Sequence, residues 1–380
     1  MRRASRHYVL IALAALAVVA TVRAEVRDIM DQLREQVFVL KPLIASESSF
    51  KDPANAPEIS EALQNMVALS QQVNHDARIS RTGFQVSAAI LTQQLQEVET
   101  VFDMGNKAYA LVSLKSTLGV CMSCHTQLPA TSAHFNAANQ GHALADPFQE
   151  AEFLFLIRDF DAAMKLYAET LQGYPRNQVT PQNLEVALYR EIYYYVRVAR
   201  DMEGLSATLK QNSENQALPQ RLQSQVKAFI AAVDSVKNEA YRQFTEAQGA
   251  ELRDYAKAQL EGEVSGDFTL DSPEKMFAAL QLSSVLYEYL DDNPQTQLKP
   301  EIFYWLSFGE RRYLYPSVHS LPGLYLKQCV LDYPQHPVAK QCFAEYEDII
   351  VVSFTGSGGT NIPDDLIEEL AMMRSLVGGR

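Results

Sequence analysis

Nearly every segment of the 380-residue chain carries its apolar side chains at helical spacing, and almost none alternates with the two-residue period of a strand. That restricts the fold to helices packed on helices, an all-α class. Four amphipathic stretches can be drawn in the first third. The first covers 26–43, with Ile29, Leu33, Val37 and Leu40 along one face; the others cover 59–74, 83–102 and 107–127. A loop bearing Ser46, Ser48, Pro53 and Pro57 follows the first, Gly105 and Asn106 separate the last two, and Pro129 closes the fourth. Count, length and short connections predict an up-and-down four-helix bundle over residues 25–130.

A polar, alanine-rich stretch over 131–146 reads as a linker to a second helical domain over 147–353. That domain opens with a helix pair: Ala151 and Leu154 on one helix, Ala163 and Tyr167 on the next, and Pro175 at the close. These are the small, large, small, aromatic and proline positions of the tetratricopeptide (TPR) repeat, which the pair resembles. Thr170 stands where that repeat usually has alanine, and no later segment matches as well. The resemblance implies a degenerate, TPR-like helical array; an irregular all-helical domain is the alternative. Further helical stretches cover 184–200, 221–260, 274–290 and 301–313, and a hairpin covers 324–332 and 338–350. Thr355-Gly-Ser-Gly-Gly-Thr360 lacks the Lys-Ser/Thr and the preceding strand of a phosphate cradle. It reads as a turn before a terminal helix, the two making up 354–380.

Residues 1–24 stand apart. Positions 1–6 carry three arginines, 8–19 form an apolar run, and Val22-Arg23-Ala24 has the small-residue spacing that signal peptidase reads. This predicts a secretory signal peptide cut before Glu25, and a periplasmic or otherwise exported product. An uncleaved anchor is the alternative, but the run is short for a full span. No other stretch is long and apolar enough, so no stable membrane span is expected after cleavage. Losing four arginines lowers the formal net charge from −13 to −17. So acidic a chain argues against nucleic acid, where phosphates must be neutralised by Lys and Arg.

The four cysteines fall into two pairs. Cys329 and Cys342 flank a proline-containing turn between two helical stretches, and in an exported protein they are expected to form a disulfide. Cys121 and Cys124 belong to Cys121-Met-Ser-Cys-His125, the attachment signature of c-type haem. Two thiols one helical turn apart can add to the two vinyl groups of one porphyrin. The histidine after the second thiol then lies under the iron as proximal ligand. Zinc would want another Cys/His pair close by, and a redox dithiol would sit beside a strand in a thioredoxin-like pattern. The expected cofactor is therefore one covalent haem c.

With the motif near the end of its fourth helix and Arg27-Asp-Ile-Met30 early in its first, the segment 25–130 resembles class II cytochromes c, the cytochrome c′ and c-556 group. The spacing between those two motifs is shorter than usual for the group. In that group the residue facing the iron from the first helix decides the chemistry. Methionine gives a six-coordinate, low-spin haem that shuttles electrons, whereas an apolar residue leaves an open site for small gases. Met30 matches the methionine form, which makes it the candidate distal ligand; Met66 on the second helix is a second choice. His75, His134 and His142 are weaker candidates. No acid–base pair or nucleophile motif suggests an enzyme. The expectation is an electron-transfer protein with a helical docking domain, residues 146–380, for a redox partner or an assembly subunit. A gas-binding or sensing haem protein and a scaffold with a structural haem are the alternatives.

Overall fold

The computed structural model describes residues 28–75, 82–127, 143–177, 179–236, 241–260, 272–311 and 321–378. The expected signal peptide and most of the expected linker lie outside them. The described residues are almost entirely helical, and their only strands are a two-residue hairpin, Thr355–Gly356 with Gly359–Thr360. The all-α class holds.

Helix α1 covers 28–44. It is followed by α2 (Glu47–Lys51), α3 (Ala56–His75), α4 (Thr82–Asp103) and α5 (Lys107–His125). Then come α6 (Pro147–Leu156), α7 (Phe160–Gly173) and α8 (Pro181–Tyr193), which runs on as a π-helical turn over Tyr194–Ala199. The remainder are α9 (Met202–Ser213), α10 (Gln220–Val236), α11 (Gly249–Gln259), α12 (Pro273–Asp292), α13 (Lys299–Arg311), α14 (Leu321–Asp332), α15 (Ala339–Ser353) and α16 (Asp364–Val377). Starts are set by local chemistry. Asp146, Thr180 and Ser272 each cap a helix whose first residue is proline, so a side-chain oxygen takes an orphan amide where proline has none to offer.

Two differences from the sequence reading have local causes. The stretch 221–260 forms two helices, α10 and α11. Before α11, Thr245 and Gln248 make a capping box around a short 3-10 turn, and the Tyr241 hydroxyl donates to the Val196 carbonyl. Helix α9 lies where no helix was expected. Asp201 caps it by accepting from the Gly204 amide at 2.8 Å. A Cβ at Gly204 would meet that carboxylate at 2.3 Å, so the absence of a side chain there is what allows the cap.

The chain divides into two compact units: residues 1–80 with 91–117 and 139–142, and residues 81–90 with 118–138 and 143–380. In the first unit Leu33, Val37 and Leu40 of α1 are buried as the periodicity requires. Phe50 of α2 meets Phe102 of α4 edge-on at 5.5 Å, and Asn65 of α3 donates to Gln36 of α1 at 3.3 Å.

In the second unit helices pack largely on their chain neighbours, α6 on α7, α9 on α10, α12 on α13, α13 on α14 and α14 on α15. The expected positions Ala151, Leu154, Ala163, Tyr167 and Thr170 are all buried in the α6–α7 pair. Helices α12 and α13 are buried on most of their sides, because neighbours cover them from several directions. Gly309 sits where a Cβ would come within 3.0 Å of Ser283, which fixes their close approach. Cys329 of α14 and Cys342 of α15 are bonded, with 6.3 Å between their Cα atoms. By loop entropy the bond contributes about 3 kcal/mol. The Thr355–Thr360 stretch is a turn before α16, as read, and Met373 of α16 is fully buried.

One ion pair is sealed inside this unit. Arg197 of the π turn meets Glu310 of α13 at 2.9 Å, both side chains 0% exposed. Tyr287 donates to the same carboxylate at 2.7 Å, and Tyr325 donates to Tyr287 at 3.0 Å. Removing one charge strands the other in a dry interior. Glu310→Ala should therefore cost about 3–5 kcal/mol in a urea melt, whereas a loss below about 1 kcal/mol would mean that the pair is solvated.

A second buried carboxyl behaves differently. Glu191 accepts from Asn212 at 2.6 Å, and its other oxygen has no hydrogen-bond partner among the described residues. Burial pushes it up to about 8, and the Asn212 bond only partly opposes this. The folded state thus holds a proton that the unfolded chain releases near 4.5, so stability falls as pH rises from about 4.5 to about 8. Glu191→Gln should flatten that slope in melts across this range; an unchanged slope would show that Glu191 is already ionised in the fold.

Candidate haem-attachment site

Helix α5 ends on the motif, and this end belongs to the second unit. Cys121 and Cys124 are three residues apart and so share one helical face. Both are unbridged and partly buried, whereas Met122 between them is turned into the core. Burial pushes the Cys121 thiol up to about 12, against the lowering effect of its own backbone. A thiol so held is a slow nucleophile in the ligand-free chain, because thiolate is the reactive form. Among the described residues no three His, Cys, Asp or Glu side chains gather as a metal cage.

The motif's polar partners come from the turn between α6 and α7. Helix α6 closes with the Asp159 amide donating back to Leu154 O at 2.9 Å and the Arg158 amide to Phe155 O at 3.1 Å. This double closure, with Arg158 in the left-handed region at φ 67°, is a Schellman ending. The Ile157 amide takes Phe153 O at 3.1 Å, leaving Leu156 O to be satisfied from elsewhere. His125 Nδ1 lies 2.6 Å from it. A carbonyl only accepts, so Nδ1 carries the proton and donates, which leaves the Nε2 lone pair free. Burial first, then the Arg158 cation, push the imidazole down to about 4, partly opposed by the Leu156 bond. The ring is neutral at physiological pH, the form in which histidine ligates a metal.

Two more side chains act on the motif. Arg158 is half-buried, and burial holds its guanidinium below its usual value while Cys124 opposes that. Burial and then Glu310 hold the Tyr325 hydroxyl well above its usual range, and Cys124 adds in the same direction. Thus the end of α5 is hydrogen-bonded to α6 and lies within electrostatic reach of the following turn and of α14.

The remaining expected residues are placed as follows. Met30 lies in the first unit near the start of α1, and at 36% its side chain is exposed. At about 100° per residue it sits roughly 60° round the helix from Leu33, on the border of the buried stripe. Met66 is buried in the first unit, at 1%. The His75 side chain, His134 and His142 lie outside the described residues. No described helix is long and apolar enough to cross a membrane. Sequence reasoning missed Leu156, Arg158 and Tyr325. A helix end followed by a capping aspartate, Asp159, signals a turn there, but nothing local ties that turn to a histidine 31 residues upstream. The chain matches no family model, no curated protein and no solved structure. The site therefore rests on its own geometry.

In the haem-free chain, iodoacetamide at pH 8 should modify Cys121 at least about a hundredfold more slowly in the folded state than in urea, because thiolate is the reactive form. Equal rates would identify a thiolate-forming pair of redox type.

Proposed function

We propose that the protein is an exported monohaem c-type cytochrome that carries single electrons and is not itself an enzyme. The observation that carries this reading is the bond from His125 Nδ1 to the Leu156 carbonyl at 2.6 Å. Metal-ligating histidines nearly always donate their other ring N–H in this way, which fixes the tautomer and raises the basicity of the ligating nitrogen. Here that partner is a backbone carbonyl released by a helix ending, so it cannot titrate or rotate away. Cys121 and Cys124, unbridged and partly buried on one face of α5, supply the two attachment thiols. Haem c, when bound, supplies the one-electron couple. The chain's residues hold it: the thiols by covalent bonds, His125 beneath the iron, and Leu156 behind His125.

The rest of the reading follows the resemblance to class II cytochromes c and the leader-like residues 1–24. The helices of 25–130 form the haem-bearing four-helix bundle, and those of 147–353 a TPR-like array. The protein is periplasmic or otherwise exported. Residues 146–380 dock a redox partner or an assembly subunit.

Met30 is the distal ligand in this reading, giving a six-coordinate haem. Its exposure favours a second reading, a five-coordinate haem open to small gases. The purified protein decides between them. One haem per chain should survive denaturation and be lost in the Cys121→Ala, Cys124→Ala double variant. Haem extracted from wild type by acidified solvent would overturn the cytochrome. A low-spin oxidised spectrum with a far-red methionine–iron band, absent in Met30→Ala, would establish His/Met ligation. A high-spin wild-type spectrum with fast carbon monoxide binding would establish the open site.

A further inference from the structure

Glu191 of α8 and Asn212 of α9 are both sealed from solvent, at 1% and 0% exposure. They share one hydrogen bond, from Asn212 Nδ2 to Glu191 Oε2 at 2.6 Å. Each residue then has an oxygen left over. Glu191 Oε1 and Asn212 Oδ1 are buried and have no hydrogen-bond partner among the described residues. An unmet buried acceptor is costly, and more so on a charged group. Two of them on residues already bonded to each other call for a common explanation. Both orphans are acceptors, and turning the amide over would only set oxygen against oxygen where the bond now is. A single hydrogen between them serves both. On a neutral Glu191, Oε1 becomes a donor to Asn212 Oδ1 while Oε2 still accepts from Nδ2. Acid and amide then close a ring of two hydrogen bonds, and neither orphan is left.

The charged side chains around α8 are engaged elsewhere or stand in solvent. On α8 itself Arg190 pairs with Glu152 of α6 at 2.9 Å, and Glu185 with Arg221 of α10 at 3.2 Å. Arg197 of the π turn pairs with Glu310. Asp161, Lys165 and Glu169 of α7, Glu203 and Lys210 of α9, and Lys227 and Asp234 of α10 are exposed. Of the tyrosines, Tyr167 of α7 donates to Glu152, Tyr194 lies against the Phe160 ring, and Tyr195 accepts from Thr208. A carboxylate at Glu191 would thus face no cation among the described residues, and burial drives it toward the neutral acid.

We infer that Glu191 and Asn212 form a neutral acid–amide pair, a proton-held latch that fastens α9 to α8 and lets go when the proton is lost. Loss of the proton turns Oε1 from a donor into a second acceptor against Oδ1 and leaves a charge in a dry interior. Water relieves that charge, and α9 must part from α8 to admit it. Just beyond α9, Asn215 donates to the Leu171 and Tyr174 carbonyls at 2.9 Å each, and its amide does not titrate. The chain after α9 therefore stays tied to the end of α7 while the contact with α8 loosens. The helical array gains a joint whose stiffness depends on pH. The inference is independent of the haem site.

The test compares the full-length protein with its Glu191→Gln variant. Glutamine offers the same two hydrogen bonds with no proton to lose, so its latch stays shut at every pH. At about pH 6 the infrared difference spectrum, wild type minus variant, should contain the carbonyl band of a protonated carboxyl, and the band should vanish by about pH 9. Hydrogen exchange in α9, corrected for the intrinsic rate, should report an opening equilibrium that rises about tenfold per pH unit between about pH 5 and about pH 8 in wild type. In the variant it should stay within about twofold over that range. Absence of the band at about pH 6 overturns the inference, because water or a cation then meets the two oxygens. So does a band whose loss leaves α9 equally protected, and so does the same pH dependence in both proteins. Should Glu191→Gln fail to fold, the wild-type series decides alone: the band and the protection of α9 must disappear together.

Discussion

The second unit is organised around a guanidinium and a carboxylate that no water reaches. Burying these two groups is tolerable only while they face each other. That condition ties the π turn after α8 to α13, and Tyr287 brings α12 into the same contact. Tyr325 extends it to α14, where the ring stacks on Phe303 at 5.6 Å. The Arg197 head also lies over the Tyr287 ring at 5.4 Å. Four segments spread over more than a hundred residues of chain are thus held by one electrostatic requirement. Its far end, Tyr325, lies within electrostatic reach of Cys124.

The other decisive feature is the ending of α6. Helix ends leave carbonyls without partners, and a Schellman closure satisfies some of them and leaves others exposed. Here Phe153, Leu154 and Phe155 find backbone amides, and Leu156 finds His125. The imidazole is oriented because a helix had to stop there. A side-chain acceptor could have rotated or titrated; a backbone carbonyl at the end of a packed helix can do neither. In the proposed cytochrome this gives the iron ligand a fixed tautomer at no cost in a further buried charge.

The sequence was legible where a residue's part depends on its near neighbours. Helical spacing gave most helices to within a few residues, and the stripe Leu33, Val37, Leu40 is buried as its period requires. The pairing of Cys329 with Cys342 was legible from a proline-containing turn between two helical stretches, a hairpin that brings its two arms together. The break between α10 and α11 escaped, because the apolar pattern continues through it and the Thr245–Gln248 capping box is weak beside that pattern. Helix α9 escaped, and its start depends on a cap from Asp201 that needs the space Gly204 leaves.

For the site, the sequence by itself determined the motif: two thiols and a histidine at a spacing that one turn of any helix puts on one side, beside a leader-like segment that accords with export. It also placed Met30 at the head of α1. Only the tertiary structure decided what surrounds them. It put the motif's end of α5 in the same unit as the α6–α7 turn, and it set Met30 at an exposed border of its stripe. Spacing along a helix is a local quantity and can be read from residue order. The partner of a histidine nitrogen, or the charge beside a thiol, depends on which distant segment packing brings there, and no local pattern encodes that.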